Sequence, residues 1–533
     1  MPIHSEHIPY SSTNAFSGLV NDFVANPERF ASLGVRPVNL QGLQHSIEER
    51  LKLSPNRDVI VARLQEQYRT VATSAAVLSN IESLASNKTF TVTTAHQNNL
   101  FTGPLYFIYK ILHVIQLAKY CKSQFPQYHF VPVFYLGAED ADLDELNHIH
   151  LTNSTLIWET QQTGAVGRMN VDASLLGLLD RLQGELGVLP KGDEWIALLR
   201  SCYVEGCTIA EATFQLIDKL FSKYGLVVLN PDHRDLKRLF LPIIQRDLEP
   251  GAIAKLLQPS IQILQQLGYD AQAYVRPINL FYLENESRKR IDKAGSDWNV
   301  VGSSITFDAI ALEKEYLNHP ERFSPNVILR GLYQCTLLPD VAFVGGGSEI
   351  AYWMQFGALF KEFGVPFPLL ILRNSFQLIE SDMAKKIAGL QLETHQLFLT
   401  AQEISNQLLT AEDVAQFSLT EQLRLLHELY EGLREKASQV DPTLMAHVAA
   451  LEKRATTQVS ELEKKMKRAV RKKYATKEQQ LQVIKNGLFP KGQLQERYLN
   501  CGEFISQYGI EWLDQIAHAS LSLEQRFTVV YLP

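Results

Sequence analysis

Apolar residues in the first part of the chain alternate between short continuous runs and runs with helical spacing. The segment 89–94 is β-branched and aromatic, and 129–138 is a nearly continuous apolar run, as expected for a parallel strand covered on both faces. Between them, 104–120 places apolar residues on one helical face, with Pro104 at the predicted first helical position. This order predicts a strand–helix–strand unit with a right-handed crossover.

The same rhythm returns further along the chain. The segment 214–231 has the pattern of a helix that leads into a strand, and 338–376 has the pattern of strand, glycine loop, helix and a second buried strand. Two stretches interrupt this rhythm, a mostly helical one over 155–210 and one of paired extended segments that begins at 273. We therefore predict a doubly wound α/β fold with a parallel core and two inserted regions.

Beyond about residue 380 the pattern is helical. An apolar stripe with roughly heptad-like spacing runs from 426 to 440, and a second stripe runs from 448 to 469. A helix over 442–485 would be about 65 Å long, too long to lie against one domain, so we predict a long antiparallel helical coiled coil that projects as an arm. In chain order, the predicted parts are the core over 1–155, an inserted connecting region over 156–212, the core over 213–272, a second inserted connecting region over 273–335, the core over 336–380, the coiled-coil arm over 381–487 and a C-terminal return to the core over 488–533.

Length and charge narrow the class of protein. A chain of 533 residues exceeds what one hydrophobic core supports, so two or three structural units are expected. The net charge of −7 gives no overall attraction to nucleic acid or to an anionic membrane. The basic run over 464–473 lies on the predicted long helix beside acidic residues, which favours a solvated coiled-coil face over a nucleic-acid site.

The sequence shows no sign of export or membrane insertion. No stretch approaches the roughly 18 consecutive apolar residues of a membrane helix, and the N-terminal residues lack the pattern of a secretory signal. The five cysteines are scattered and form no CxxC pair, which is typical of reduced thiols. We expect a cytoplasmic protein with neither a membrane nor a nucleic acid as its partner.

Polar residues follow the predicted strands, where open α/β sheets bind their ligands. After the first strand come His96, Gln97 and Asn98, and then Thr102 and Gly103 at the predicted start of a helix. Free backbone N–H groups at a helix start suit a phosphate or a carboxylate. The alternative is an ordinary loop in which Thr102 caps the helix.

Carboxylates crowd the end of the second strand. Glu139, Asp140, Asp142, Asp144 and Glu145 fall within seven residues. Such a cluster attracts an ammonium group, a Mg²⁺–phosphate complex or sugar hydroxyls, and the crowding can create a general base. We expect Asp144 and Glu145 to belong to a solvated helix start, and Glu139 and Asp140 to be functional.

Two later strand ends also carry candidate ligand groups. Gly345–Gly347 form a loop between a strand and a helix that could cradle a phosphate, although its spacing matches neither the dinucleotide nor the P-loop motif. A tight turn without a ligand is the alternative. Arg373, which begins the Arg373-Asn374-Ser375 segment, could hold a carboxylate or phosphate by a bidentate contact.

Six stretches of the chain together resemble the cysteine ligase family of bacillithiol biosynthesis. They occur in the family's order and span most of the chain: LFTGPLYFIYK, PVFYLGAEDADLDELNHIH, INLFYLENESRKRI, LLPDVAFVGGGSEIAYW, LRNSF and FPKGQLQERYLN. The resemblance implies a Rossmann-like core with two connecting insertions and a coiled coil that supports a homodimer. It also implies an enzyme that adds cysteine to glucosaminyl-malate in the last step of bacillithiol assembly.

The chain departs from this family at two places. Ala95-His96-Gln97-Asn98 stands where the family has a Gly-Gln-Gln type of sequence. Ala141 stands where the family has a histidine, within Glu-Asp-His-Asp. A mechanism that depends on a histidine at 141 is thereby in doubt, and His96 could partly compensate.

The resulting hypothesis is a ligase that forms an amide between cysteine and the amine of glucosaminyl-malate. It assigns catalysis to His96, Glu139, Asp140 and Asp142, and no metal ligand. The expected substrate- or nucleotide-binding residues are Gln97, Asn98, Thr102, Gly103, Tyr106, Gly345, Gly346, Gly347, Glu349, Tyr352, Arg373 and Ser375. Amide formation needs activation of the cysteine carboxylate, so ATP with Mg²⁺ is a candidate energy source that these residues do not identify. Two alternatives stay open: another adenylate-forming or nucleotidyl-transferring enzyme on the same core, and a non-catalytic coiled-coil scaffold.

Overall fold

The computed structural model describes residues 4–53, 56–284, 286–408 and 418–533. Its internal contacts divide the chain into two units, Met1–Leu378 with Gln493–Pro533, and Ile379–Gly492. The described strands are β1 (His4–Ile8), β2 (Thr89–Gln97), β3 (His129–Gly137), β4 (His148–His150), β5 (Thr155–Ile157), β6 (Val227–Leu229), β7 (Leu280–Glu284), β8 (Ser287–Ala294), β9 (Asp297–Val300), β10 (Thr306–Phe307), β11 (Phe323–Pro325), β12 (Asp340–Gly345), β13 (Leu369–Leu372), β14 (Phe376–Ile379) and β15 (Phe527–Tyr531).

Helices make up most of the remaining regular structure. Those described are α1 (Gly18–Ala25), α2 (Leu40–Leu51), α3 (Arg57–Tyr68), α4 (Ala75–Ser83), α5 (Tyr106–Gln124), α6 (Leu143–Leu146), α7 (Ala173–Leu186), α8 (Gly192–Cys202), α9 (Ile209–Phe221), α10 (Arg234–Arg238), α11 (Leu241–Asp247), α12 (Ala252–Gln266), α13 (Ala309–Asn318), α14 (Val327–Leu337), α15 (Gly347–Trp353), α16 (Gly357–Glu362), α17 (Ser381–Gly389), α18 (Ala401–Leu408), α19 (Thr420–Val440), α20 (Leu444–Leu488), α21 (Gly502–Tyr508) and α22 (Trp512–Ala519).

A parallel sheet with the strand order β13–β12–β2–β3–β6 forms the centre of the first unit. The first strand of this sheet in the chain, β2, lies in the middle. Its successors β3 and β6 lie on one side and β12 and β13 on the other, so the direction of winding reverses between β2 and β12. Loops diverge at such a reversal and leave a crevice beyond the carboxyl ends of the strands. The predicted Rossmann-like core is therefore confirmed.

Apolar side chains from the sheet and from two helices pack into one cluster below this crevice. Phe90 and Val92 of β2 meet Val344 of β12, and α2 and α5 supply Ile47 and Val114. Burying each of these side chains contributes about 1.5–3 kcal/mol relative to leaving it exposed. Helix α5 is buried almost all round, which fixes every side chain that it carries toward the crevice.

The two insertions differ in structure. The first is largely helical and includes α7 and α8. The second contains an antiparallel sheet with the order β10–β9–β8–β7–β11. The C-terminal residues return to the first unit, where β15 lies between β1 and β14 in a three-stranded sheet.

The second unit contains the predicted helical hairpin. Helices α19 and α20 pack against each other, and Glu452 of α20 binds both His427 and Arg434 of α19. The short connection over 441–443 requires them to be antiparallel, which agrees with the predicted coiled coil. Within the basic run over 464–473, the side chains of 467 and 470–473 lie outside the described residues. None of the helices in the described ranges is long and apolar enough to cross a membrane.

Candidate functional site

A cavity of about 530 Å³ lies at the carboxyl ends of β2 and β12, where the winding of the sheet reverses. It collects residues from several parts of the chain that the sequence singles out. The predicted site residues in its lining are His96, Gln97, Tyr106, Asp140, Gly346, Gly347, Glu349, Tyr352 and Arg373. The predicted residues that do not line it are Asn98, Thr102, Gly103, Glu139, Asp142, Gly345 and Ser375.

The first strand is longer than predicted, and this extension brings two residues to the cavity. β2 continues to Gln97, which pairs with Gly137 at the end of β3. The ring of His96 lies 5.4 Å from those of both Tyr106 and Phe107. Desolvation, followed by repulsion from Lys110, lowers the pKa of His96 to about 3. The imidazole is therefore neutral near pH 7 and is a weak proton acceptor.

Asp140 lies in the cavity wall as part of a charge cluster. Both terminal nitrogens of Arg330 donate to its two carboxylate oxygens, one of them at 2.7 Å. Arg288 Nη1 lies 3.9 Å from Asp140 Oδ1. Burial opposes ionisation of Asp140, but the charge and hydrogen bonds of Arg330, followed by the charge of Arg288, hold its pKa below the usual value. Asp140 is thus an ionised partner of arginines, which is a poor arrangement for a general base.

Glu139 does not line the cavity, although it immediately precedes Asp140 in the chain. Its Oε1 accepts a hydrogen bond from Lys237 Nζ at 2.6 Å, and Lys237 also donates to the carbonyl oxygen of Phe323 at 2.8 Å. Burial raises the pKa of Glu139 and lowers that of Lys237, while each charge opposes the shift of the other. This buried pair lies behind the cavity wall. Asp142 is exposed at the start of the short helix α6.

The predicted anion site at Thr102 and Gly103 is wrong, because the helix does not begin there. Helix α5 starts at Tyr106, and Thr102 is buried with its Oγ1 3.2 Å from Cys501 Sγ. Asn500 Nδ2 donates to the carbonyl oxygens of Phe101 at 2.9 Å and of Gly103 at 2.7 Å. Asn500, in the C-terminal segment of the chain, therefore holds this turn, and the carbonyl oxygens of Phe101 and Gly103 already have hydrogen-bond partners. Asn98 is likewise buried outside the cavity, beside Gly167.

The glycine loop forms one wall of the cavity. Gly345 ends β12, and a Cβ at this position would lie 2.8 Å from the ring of Phe343, so only glycine fits. The N–H of Gly346 donates to Glu349 Oε2 at 2.7 Å. Lys110 Nζ contacts the same carboxylate oxygen and donates to the carbonyl oxygen of Ala95 at 2.8 Å. Lys110 thus ties the end of β2 to the start of α15 at the point where the winding reverses.

Arg373 also lines the cavity, but not in the predicted way. Its Nη1 and Nη2 donate to the two carboxylate oxygens of Glu496 at 2.9 and 2.7 Å, and Nη1 also donates to Ser375 Oγ at 2.9 Å. The prediction that Arg373 holds a ligand by a bidentate contact is therefore wrong, because Glu496 occupies that face. Ser375 accepts this hydrogen bond from Arg373 and does not line the cavity. Arg373 Nε lies beside the glycine loop, 3.7 Å from the position that a Cβ on Gly346 would take.

Several cavity residues were not singled out in the sequence. Lys110, Arg288 and Arg497 lie within the stretches that resemble the family, and Arg330 lies outside them. With Arg373 they give five cationic side chains in the lining, against the carboxylates of Asp140 and Glu349. Lys110 lies in the buried helix α5 and Arg497 in a turn near the C-terminus, so neither follows one of the strands predicted from the sequence. Among the residues that the structure describes, no group of three or more His, Cys, Asp or Glu side chains is arranged to hold a metal ion.

Comparison with known proteins covers the whole chain. Residues 3–374 match the family described as Bacillithiol biosynthesis BshC, N-terminal Rossmann-like domain, and residues 376–532 match the corresponding C-terminal coiled-coil domain. A relative from Flavobacterium johnsoniae is 34% identical over 525 residues, which is 98% of this chain and 99% of the relative. Relatives from Flavobacterium psychrophilum and Cytophaga hutchinsonii are each 35% identical, over 98% and 94% of both chains, respectively. All three carry the name "Putative cysteine ligase BshC".

Proposed function

We propose that this chain, which belongs to the BshC family of bacillithiol biosynthesis, joins L-cysteine to the amine of glucosaminyl-malate in the last step of that pathway. The observation that carries the proposal is the cavity at the reversal of the parallel sheet, because it collects charges that suit this pair of substrates. A cavity of about 530 Å³ lies within the usual range for small-molecule sites. A coiled-coil scaffold would have no use for such a cavity.

The surplus of cations matches the malate part of the acceptor substrate. Malate contributes two carboxylates, and the lining holds five cations against two carboxylates. Arg497 is exposed, and no partner for its guanidinium is found within the described part of the chain. Arg288 donates through Nε to Ser324 Oγ and through Nη2 to the carbonyl oxygen of Pro325, both at 3.1 Å, and its Nη1 has only a 3.9 Å contact to Asp140 among the described residues. These two guanidinium groups therefore have donors available for substrate carboxylates, and charged hydrogen bonds of this kind are strong.

ATP with Mg²⁺ is proposed as the energy source, since a free carboxylate and an amine do not condense spontaneously in water. When bound, the nucleotide would activate the cysteine carboxylate. The lining beside the glycine loop combines cationic side chains with the edges of Phe343 and Trp353, which stack on each other at 4.1 Å. Arg373 Nε would face the phosphates of the nucleotide, which would carry the Mg²⁺.

A homodimer formed through the coiled coil is also proposed. Leu425, Leu429 and Leu433 of α19 are 51%, 59% and 42% exposed, and their spacing of four residues puts them on one helical face. On α20, Leu451 and Leu462 are 40% and 52% exposed. These leucines are partly exposed in a single chain and would be covered by the same surface of a second copy.

The test is mass spectrometry of the full-length protein incubated with cysteine, glucosaminyl-malate and Mg-ATP, with a parallel mixture that lacks nucleotide. A cysteinyl product that appears only with ATP supports both the reaction and the energy source. Product without ATP supports the ligation and rejects the nucleotide. No product in either mixture, from protein shown to be folded by circular dichroism, rejects the proposed function for the isolated chain.

A further inference from the structure

The proposed reaction needs a proton acceptor in the cavity. An amine attacks a carbonyl carbon only as the neutral species, so the substrate ammonium must first lose a proton. The candidates that line the cavity are His96, Asp140 and Glu349. His96 is neutral, but its pKa of about 3 makes it a weak acceptor. The choice therefore lies between the two carboxylates.

The oxygens of Asp140 are already engaged. Arg330 donates to both of them, and Arg288 lies close to Oδ1. Only 8% of Asp140 is exposed. A proton placed on this carboxylate would break its pairing with Arg330, and the pKa of Asp140 is accordingly held below its usual value.

Glu349 is arranged differently. Its Oε2 is fixed by the N–H of Gly346 at 2.7 Å and by Lys110 Nζ. Across the described residues, Oε1 has no hydrogen-bond partner, and it is not one of the buried unpartnered atoms. About a fifth of the side chain is exposed, at 21%, and the residue lines the cavity. The two contacts to Oε2 thus hold the carboxylate in one orientation and leave Oε1 accessible to a ligand.

Lys110 sets this orientation from within the protein. Its side chain is 2% exposed, and two of its three N–H bonds are accounted for by Ala95 O and Glu349. The lysine is one of the buried residues of helix α5.

We propose that Glu349 is the catalytic residue that removes a proton from the substrate ammonium and that Lys110 is a positioning residue for its carboxylate. This inference rests on the proposed function. The proton passes from the ammonium nitrogen to Oε1. On a cysteine carboxylate that ATP has activated, the nitrogen lone pair would form the bond to the carbonyl carbon, and the bond from that carbon to its phosphate-linked oxygen would break with the electron pair leaving on the oxygen. The departing phosphate would take the second nitrogen proton, and Glu349 would release its proton to solvent.

The first test compares Glu349→Gln with the wild type in the product assay. Glu349→Gln keeps the size of the side chain and the contact to Gly346, and kcat is expected to fall about 100-fold or more, with a much smaller change in KM for glucosaminyl-malate. Glu362→Gln, at an exposed position on α16, is the matched control and should retain full activity. Thermal melting of each variant shows whether it is folded.

Hydroxylamine separates the proton transfer from the activation of cysteine. It is uncharged near neutral pH and needs no base, so Glu349→Gln should still form cysteine hydroxamate with Mg-ATP at close to the wild-type rate. Equal losses of hydroxamate and amide would overturn the assignment of Glu349 as the base. Amide formation by Glu349→Gln at the wild-type rate would overturn it as well, while the proposed ligase function would stand.

Lys110 is tested by a double-mutant comparison. Lys110→Met should lower kcat for the amide more than it raises KM, and it should preserve hydroxamate formation. Combined with Glu349→Gln, it should add little further loss in kcat, because both changes disrupt the same Lys110–Glu349 pair. Independent, multiplying losses would overturn the positioning role. A wild type that makes no cysteinyl product would instead reject the proposed function on which both assignments rest.

Discussion

Replacing Lys237 by methionine tests the buried ion pair behind the cavity wall. Lys237 is fully buried and its Nζ lies 2.6 Å from Glu139 Oε1, so the change leaves the Glu139 carboxylate without its countercharge. Removing one partner of a buried pair costs about 3–5 kcal/mol of unfolding free energy. This cost includes the loss of the hydrogen bond from Lys237 Nζ to the carbonyl oxygen of Phe323. Methionine has nearly the length of lysine, so little of the effect should come from a cavity.

The loss is expected to depend on pH. Burial raises the pKa of Glu139 in the folded chain, and the charge of Lys237 is the main factor that opposes this rise. Without Lys237 the folded pKa rises further above the unfolded value of about 4.3. A group whose pKa is higher when folded stabilises the fold below the unfolded pKa and loses that contribution as pH rises through the folded pKa. Lys237→Met should therefore be least stable at pH 8 and should recover toward pH 5.

Urea unfolding at pH 5, 6.5 and 8, monitored by circular dichroism, measures the free energy of unfolding of each variant. Lys237→Met combined with Glu139→Gln should regain part of the stability at pH 8, since no buried charge remains. Lys223→Met is the matched control, because its pair with Asp514 is 47% and 40% exposed and should contribute at most about 1 kcal/mol. A Lys237→Met protein as stable as the control at pH 8, or a double variant less stable than Lys237→Met alone, would refute the reasoning.

Three further predictions concern the cavity and the coiled coil. Arg497→Met should weaken binding of glucosaminyl-malate about tenfold in calorimetry and reduce its salt dependence, whereas Arg238→Met, at an exposed position on α10, should change neither. His96→Gln should lose far less than the roughly 100-fold expected for a general base, and its pH–rate profile between pH 5 and 8 should match the wild type, because the pKa of His96 lies near 3. Leu429→Glu with Leu433→Glu should convert a dimer into monomers in light scattering, and Gln422→Glu on the same helix should not; a wild type that is already monomeric would reject the proposed dimer.

Sequence patterns predict best those elements that their own residues determine. The long helix α20 is predictable from the sequence because its apolar residues repeat at helical spacing over many turns. The parallel strands are predictable because they are continuous apolar runs. The end of β2 was missed, because His96 and Gln97 look like loop residues. They continue the strand since β3 supplies pairing partners as far as Gly137. Such pairing comes from a different segment and leaves no local signal.

The site was predicted only in part for the same physical reason. Which side chain of the Glu139-Asp140 pair faces the cavity depends on Lys237 and Arg330, which lie far along the chain. Arg373 looked free to bind a ligand, because its partner Glu496 is separated from it by 123 residues. A cluster of polar residues at a strand end therefore indicates where a site lies. It does not indicate which of those side chains are already engaged in ion pairs or hydrogen bonds within the folded protein.

The C-terminal segment, which follows the arm in the chain, contributes residues to the first unit. The C-terminal return supplies Glu496, which engages Arg373, and Asn500, which holds the turn before α5. It also supplies Arg497 to the cavity lining and β15 to a sheet with β1. The matched family boundary falls at 374–376, yet residues 493–533 belong to the first unit by their contacts. In sequence, the coiled coil is therefore inserted into the first unit, and a chain cut near 375 would lose part of the cavity together with the arm.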